Sequence, residues 1–446
     1  MSVQQILASP TLKLFGIGAL ILVLLIPLLM IDGLRREREN RRDQVEAEIG
    51  NSVGGAQTVY PPLLRVPYVL PVLDQEGRQI GQNEVWWVFA PKSADTQSTL
   101  TMEERHRGIY TVPVYVAQHQ TTGQFQFELD QLSRILGRPV LERAELVLPI
   151  ASARAIRQIE VKWNRQTLAM QPGADQVSGM SYFSTRIPDF SFEQQASYQI
   201  ELGISGARTV MYAPIAGDTS VKLKAPWPHP SFRGGFLPTT RTLDETEFDA
   251  DWQVLSFNRE IPAYWQADNN LEAAVQGNLF GVDLVQPVDV YFLNHRSAKY
   301  DFLFLVLTFA AFFLFEVIGG QRMHVIQYLL VGAALVVFYL VLLACSEHMS
   351  FAASYLFAAL AMGGMISTYT IAVLRSARRA LVIAIWLAVL YSALYVMINL
   401  EDFALLMGAL ITMLVLAVTM YLTRRIDWYG SNSRNLPPTP TAATPV

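Results

Sequence analysis

The chain has 446 residues, of which 52% are apolar and only 16% charged, against about 25% charged in a typical soluble protein. Its 34 basic and 38 acidic side chains leave a net charge of −4, which gives no reason to expect nucleic acid as a partner. A single cysteine, Cys345, rules out an intramolecular disulfide and a cysteine metal cluster. The apolar residues are massed near the start and after residue 300, so the composition points to an integral membrane protein carrying a large water-facing domain.

In chain order, a short N-terminal segment (1–11) precedes an apolar run over 12–31, long enough for the roughly 20 helical residues that cross a bilayer. Lys13 could serve as the basic start of a cleavable signal peptide. The run is long for that, however, and is followed by Asp32-Gly33-Leu34-Arg35-Arg36 with no small-x-small site, so an uncleaved anchor is the better reading. The charged stretch after it has no proline, carries the helix-compatible pair Glu37 and Arg41, and begins a thin apolar stripe at Val45 and Ile49. It reads as a helical stalk over 32–55 with a solvated surface.

From residue 56 to 300 the texture changes to short apolar or alternating segments broken by Pro and Gly. Strands are expected at 64–72, 85–89, 109–116, 124–129, 146–150, 156–163, 198–204, 220–223, 252–257 and 288–293. Pro61, Pro62, Pro67, Pro71, Pro113 and Pro149 fall at or inside these segments, which assigns them to edges, bulges or strand ends. The domain is expected to be mostly β and sandwich-like, in one lobe or two. Its oddest run is Trp227-Pro228-His229-Pro230-Ser231-Phe232, followed by Arg233 and a Gly-rich stretch to Pro238. As an irregular loop it could present Trp227 and Phe232 for recognition, with His229 or Arg233 supplying polarity. The simpler alternative is a loop packed over the core with its rings buried.

Five further spans are expected at 302–318, 325–344, 351–374, 381–400 and 403–422, joined by short connections. Arg375, Arg378 and Arg379, then Arg424, Arg425 and Arg434, and Arg322 lie in loops on one side; the opposite loops carry Glu347 and Glu401-Asp402. Counting basic residues places both termini in the cytoplasm and the insert outside, although Arg35, Arg36, Arg38, Arg41 and Arg42 pull the other way. The fold class expected is therefore a polytopic α-helical membrane protein with a large mostly-β periplasmic domain inserted between its first and second transmembrane helices. Residues 423–446 form a tail rich in Pro, Thr, Asn and Ala that reads as disordered.

Chemistry-bearing motifs are scarce. HExxH, Walker, GxGxxG and GxSxG patterns do not occur, six histidines are dispersed, and nothing calls for a cofactor or a metal. Charges at the span boundaries are more informative, because ions there tend to be paired or functional. Glu316, Arg322 and His324 fall at the cytoplasmic boundary. The plain reading is a clamp in which Glu316 pairs with Arg322 across a helical hairpin; the sharper one is a proton or signal relay. Glu347 and His348 close the third span on the other side. Gly363-Gly364 with Ser367 and Thr368 suits close helix packing, and Trp386, Tyr421, Trp428 and Tyr429 suit interfacial anchors.

Five runs together resemble the CreD family of inner membrane proteins, also called cell envelope integrity proteins. They are EERHRGIY (103–110), WPHPSFRGGFLP (227–238), LTFAAFFLFE (307–316), QYLLVGAALVVFYLVLLACSEH (327–348) and TRRIDWY (423–429). The resemblance spans nearly the whole chain. It implies a Gram-negative inner membrane protein with a large periplasmic domain, tied to envelope integrity, tolerance to certain colicins and a regulon linked to β-lactam response, and it implies no catalytic residues. Where the family pattern has a proline after the histidine of QRxHP, this chain has Val325, which removes a possible helix cap. The leading expectation is a non-enzymatic protein whose outer domain senses or scaffolds, with membrane lipids and a protein as partners. A lipid or envelope-precursor transporter would instead need a lipid-accessible cavity among the helices, and a hydrolase a convergent Ser, His and carboxylate.

Overall fold

The longest helix, α1 (Pro10–Ser52), begins in the apolar run and continues through the charged stretch without a break. It stops where Gly54 and Gly55 take φ of +110° and +72°, left-handed values that cannot extend a helix. In this computed structural model residues 10–424 are described, apart from 77, 285–289, 320–322, 375 and 401–402. Arg322, Arg375, the Glu401-Asp402 pair and the tail with Arg425, Arg434, Trp428 and Tyr429 therefore lie outside the described residues. The chain forms two units, Met1–Glu39 with Val288–Val446, and Asn40–Pro287, and α1 contributes to both.

The second unit is built on three sheets. The largest runs in the order β16 (Thr240–Leu243), β17 (Phe248–Val254), β14 (Asp218–Ala225), β4 (Ser93–Arg107), β5 (Tyr110–Phe125), β12 (Ala196–Ala207), β8 (Ile156–Trp163), β9 (Gln166–Leu168). A second sheet runs β10 (Gln171–Pro172), β11 (Tyr182–Arg186), β7 (Glu145–Pro149), β2 (Leu63–Leu73), β3 (Gln79–Phe89), β18 (Tyr264–Gln266), with β6 (Arg138–Pro139) also on β2. The third runs β1 (Gln57–Val59), β13 (Thr209–Tyr212), β19 (Phe280–Leu284), β15 (Pro230–Gly234). Alternation drives the pattern: β14 buries every second residue, while β12 is buried along its whole second half, where the end of α1 packs Val45 on Ala207 and the Val53 carbonyl accepts from Ser205 Oγ. One core joins residues of all three sheets, among them Leu64, Tyr115, Trp252 and Phe280.

The prolines sit where a ladder makes no demand on them. On one side of β2, β7 pairs only Leu63 to Arg65 and β6 only Tyr68 and Val69, so Pro67 falls between the two. Pro113 lies one residue beyond Val114, where β12 stops pairing with β5. Past that point the β4–β5 hairpin projects with both edges free, turning at Gly108, whose φ of +62° suits a two-residue hairpin turn. This projecting end is the EERHRGIY run, and its charges guard the exposed edges.

The projection is gripped from one side. Val45 of α1 is 2% exposed and packs with Val112, Val114 and Ala207, and Ile49, Val53 and Tyr110 pack against that cluster. Arg107 pairs with Glu48, and Arg208 Nη1 lies 2.8 Å from Glu46 Oε2. The stalk expected to be solvated is thus, at 45–53, part of the β unit.

Two expected strands end early: β5 stops at Phe125, and β17 at Val254, ahead of a 3-10 turn at Ser256–Asn258. Short helices α2 (Leu129–Leu132) and α3 (Glu272–Asn278) complete the unit. The strand expected at 288–293 is overturned, because α4 (Val290–Lys299) is a helix that buries Tyr291, Asn294 and Ser297 at three-residue spacing. Side-chain partners override the β propensity of Val, Tyr and Phe there.

In the first unit α1, α6 (Val325–Ser346), α7 (Phe351–Leu374) and α8 (Ala377–Asn399) are each long and apolar enough to cross a membrane. α4 and α5 (Asp301–Gly319), bent by 47° at their junction, make a fifth span when taken together. α9 (Ala404–Thr423) adds a shorter apolar stretch, Leu405–Tyr421. Ile17, Leu20, Leu24 and Leu28 form the buried stripe of α1 in this unit's core. Contact there is close enough that a Cβ on Gly332 of α6 would collide with Leu24 and Phe309.

Candidate functional site

Glu316, near the C-terminus of α5, finds its partner on α1. The Lys13 ammonium pairs with Glu316 and also donates to the Met323 carbonyl, and the Tyr328 hydroxyl donates to Glu316 Oε2 at 2.9 Å. Arg322, the partner expected for Glu316 across the α5–α6 connection, lies outside the described residues; among those described, Lys13 is the cation that pairs with Glu316. Sequence reasoning had treated Lys13 only as a weak signal-peptide feature. A carboxylate 9% exposed at a helix end must be paired, and among the described residues its cation comes from a segment 303 residues away.

His324 stands beside this cluster, exposed, as the N-cap of α6. Its Nδ1 accepts from the Ile326 N–H at 3.3 Å, and its own N–H donates to Gln327 Oε1 at 2.9 Å. This reciprocal capping box supplies what a proline in place of Val325 would otherwise favour, so the departure from QRxHP leaves the helix start capped.

At the far end of α6 the SEH motif is tied to α4. Asn294 Nδ2 donates to Ser346 Oγ at 2.8 Å, the Tyr291 hydroxyl to Glu347 Oε1 at 3.2 Å, and Arg38 Nε lies 3.8 Å from Glu347. His348 is exposed. The 22 residues of α6 separate this group from Glu316, about 33 Å of helix. Nearby, Arg35 bonds Asp32 at 2.9 Å and Glu39 at 2.7 Å, and a cavity of about 20 Å³ is lined by Asp32, Arg35, Asn294, Asp301 and Tyr339.

The aromatic run at 227–238 is less irregular than expected, since Pro230–Gly234 is strand β15, paired with β19. Phe232 is half-buried, its ring 5.8 Å from those of Phe248 and Trp252, and Trp227 packs against the same core. Arg233 Nη1 bonds Asp283 Oδ2 at 2.8 Å across the strand pair, and His229 is exposed. The structure thus separates the four residues: two rings turn to the core, one cation to its neighbouring strand, and the imidazole to the surface.

Two buried polar groups of the β unit were not singled out from the sequence. Ser98 Oγ lies 2.7 Å from His119 Nδ1, cross-strand on β4 and β5, while His119 Nε2 has no partner among the described residues. Burial lowers the His119 pKa from 6.5 to about 3. On β2, Arg65 stacks 4.1 Å over Trp86, receives support from Asp175 at 3.3 Å, and donates to the Tyr182 hydroxyl at 2.7 Å. Burial, then Asp175, pushes that hydroxyl up to about 12. Among the described residues no group of three His, Cys, Asp or Glu side chains is placed to hold a metal.

The helices leave an open seam between α5 and α9. A cleft of about 830 Å³ lies at one end, between α4 with the start of α5 and α9, with Arg296 and Lys299 of α4 at its polar mouth, and an apolar cavity of about 320 Å³ lies among α5, α9 and α8, which contributes Trp386 and Arg379. Volumes in this range accommodate an organic ligand.

A sequence profile described as "Inner membrane protein CreD" matches residues 9–429. The chain is 32% identical over 436 residues to the inner membrane protein CreD of Escherichia coli strain K12, covering 94% of this chain and 93% of that protein. A crystal structure of an M1 zinc metallopeptidase from Deinococcus radiodurans, bound to a Tyr-Ser-Ala substrate, aligns over 79% of this chain and 96% of its own at 12% identity and a TM-score of 0.22, which bears on neither fold nor chemistry.

Proposed function

We propose, from the premise that this chain belongs to the CreD family of inner membrane proteins, that it is a non-enzymatic component of the cell envelope. In this reading the β unit lies in the periplasm, senses or scaffolds there, and contributes to envelope integrity. The observation that carries the reading is the dual membership of α1. Leu20, Leu24 and Leu28 belong to the core of the helical unit, and Val45 to a core of the β unit. A partner that shifts the β4–β5 projection acts directly on a helix that is also a membrane span, because Val112 and Val114 rest on Val45.

The test is in-cell photocrosslinking with the probe at exposed His229, at Glu104 on the hairpin projection, or at Glu37 on α1, followed by mass spectrometry. A protein captured reproducibly from Glu104 or His229 but not from Glu37 supports the reading. Equal capture from all three sites would sink it.

A second reading, transport of a lipid or envelope precursor, is favoured by the α5–α9 seam. The hydrolase reading gains little from Ser98 and His119. Both are nearly inaccessible, at 4% and 2% exposure, and no carboxylate among the described residues orients the imidazole.

A further inference from the structure

We propose that the cleft where α4 and the start of α5 face α9 binds an anionic phospholipid, with the lipid phosphate on Lys299 and Arg296 and the acyl chains laid along the seam. The cleft is divided chemically. Its mouth carries Arg296, Lys299 and Tyr300; its floor carries Leu303 of α5 and Leu405 and Met413 of α9, and none of the described lining residues is acidic. Lys299 is exposed and has no carboxylate partner among the described residues. Arg296 is 7% exposed and donates to the carbonyls of Met397 at 3.2 Å and Leu400 at 2.7 Å. Those carbonyls hold the guanidinium in place without cancelling its charge.

Two cations beside a long apolar wall match a phosphate joined to acyl chains, whereas a water-soluble anion would leave the wall uncovered and a zwitterionic lipid brings an ammonium that offsets its own phosphate. The seam supplies the needed reach. From Leu303 it continues past Leu307 and Leu314 into the second cavity, about 17 Å of helix, against a leaflet of about 15 Å of hydrocarbon. There the Trp386 Nε1–H is buried and has no acceptor among the described residues. The inference concerns occupancy of the cleft and stands whether or not the β unit senses a partner.

The experiment is native mass spectrometry of the full-length protein, solubilised from vesicles holding equal amounts of phosphatidylglycerol and phosphatidylethanolamine. The wild type is expected to retain phosphatidylglycerol preferentially, roughly five-fold for a cation at the membrane surface. Lys299→Gln should bring the ratio close to parity. Ala409→Phe, which places a ring in the wall of the cleft, should lower the bound lipid of both kinds, while Leu356→Phe on the exposed face of α7 should change nothing. Thermal melting of each variant establishes that it is folded, and Lys299→Gln, at an exposed side chain, keeps the test decisive if Ala409→Phe is not. Absence of a wild-type preference, an unchanged ratio in Lys299→Gln, or displacement of the lipid by inorganic phosphate alone would overturn the proposal.

Discussion

Breaking one half of an ion pair at a membrane boundary leaves the other charge in a medium that solvates it poorly, so the cost exceeds the modest worth of an exposed pair. Lys13 and Glu316 are 19% and 9% exposed, which places them in that costlier class. Reversing either one alone should lower the amount of protein in membrane fractions several-fold. The double reversal, Lys13→Glu with Glu316→Lys, should recover much of it on immunoblots; no recovery would mean that Glu316 depends chiefly on Tyr328. His119 offers a second residue-scale prediction. Its pKa falls from 6.5 to about 3 on folding, so the unfolded chain binds the extra proton between these values. Stability is unaffected above pH 6.5 and is lost as pH drops toward 3, at about 1.4 kcal/mol per unit. Urea unfolding followed by tryptophan fluorescence should therefore show a loss of about 2 kcal/mol between pH 6.5 and 5, and His119→Gln should flatten that slope.

At the scale of elements, the β4–β5 hairpin and α1 hold each other through a small apolar contact. Val45→Asp puts a charge at a site 2% exposed, so exchange of amide hydrogens should rise at 43–52 and at 110–116 together, while the remaining strands keep their protection. Rise in only one of the two segments would show that the contact is not shared. Val45 and Ile49 were legible in the sequence as the start of a stripe, but not what the stripe packs on, because Val112, Val114 and Ala207 come from strands far along the chain. The same reason hid β4 altogether. Its inward positions are Ala94, Thr96, Ser98 and Leu100, of which the first three are small or hydroxyl-bearing and give no hydropathic alternation, and the strand forms because β5 and β14 pair on either side. α4 was misread for the converse reason: a β-prone composition yields to Tyr291 and Asn294 finding partners on Glu347 and Ser346. The membrane helices were the most legible part, since twenty apolar residues dictate a helix in lipid whatever surrounds them. Glu316 was recognised as a charge needing a partner, while the contribution of Lys13 was not legible, for the same division between local pattern and distant contact.

For the whole molecule, the loop charges argue for an orientation that a labelling experiment can read. Arg378 and Arg379 lie in the first turn of α8 and Arg424 follows α9, while the opposite connections carry acids and no Lys or Arg. Basic residues in short connections are retained in the cytoplasm, which predicts a C-terminal tail inside and, if α1 and five further spans make six crossings in all, the segment between α1 and α4 outside. The arginines of α1 count against this orientation, and the Asp32 that engages Arg35 and Arg36 offsets them little, so the prediction rests on the connections of the later helices. In a Cys345→Ser background, Glu104→Cys should react with a membrane-impermeant maleimide in cells whose outer membrane has been permeabilised, whereas Ala443→Cys should react only after lysis. The reverse pattern would place the β unit in the cytoplasm and end the envelope-facing reading; labelling of both before lysis would mean an odd number of crossings, with the α4–α5 pair or α9 failing to span.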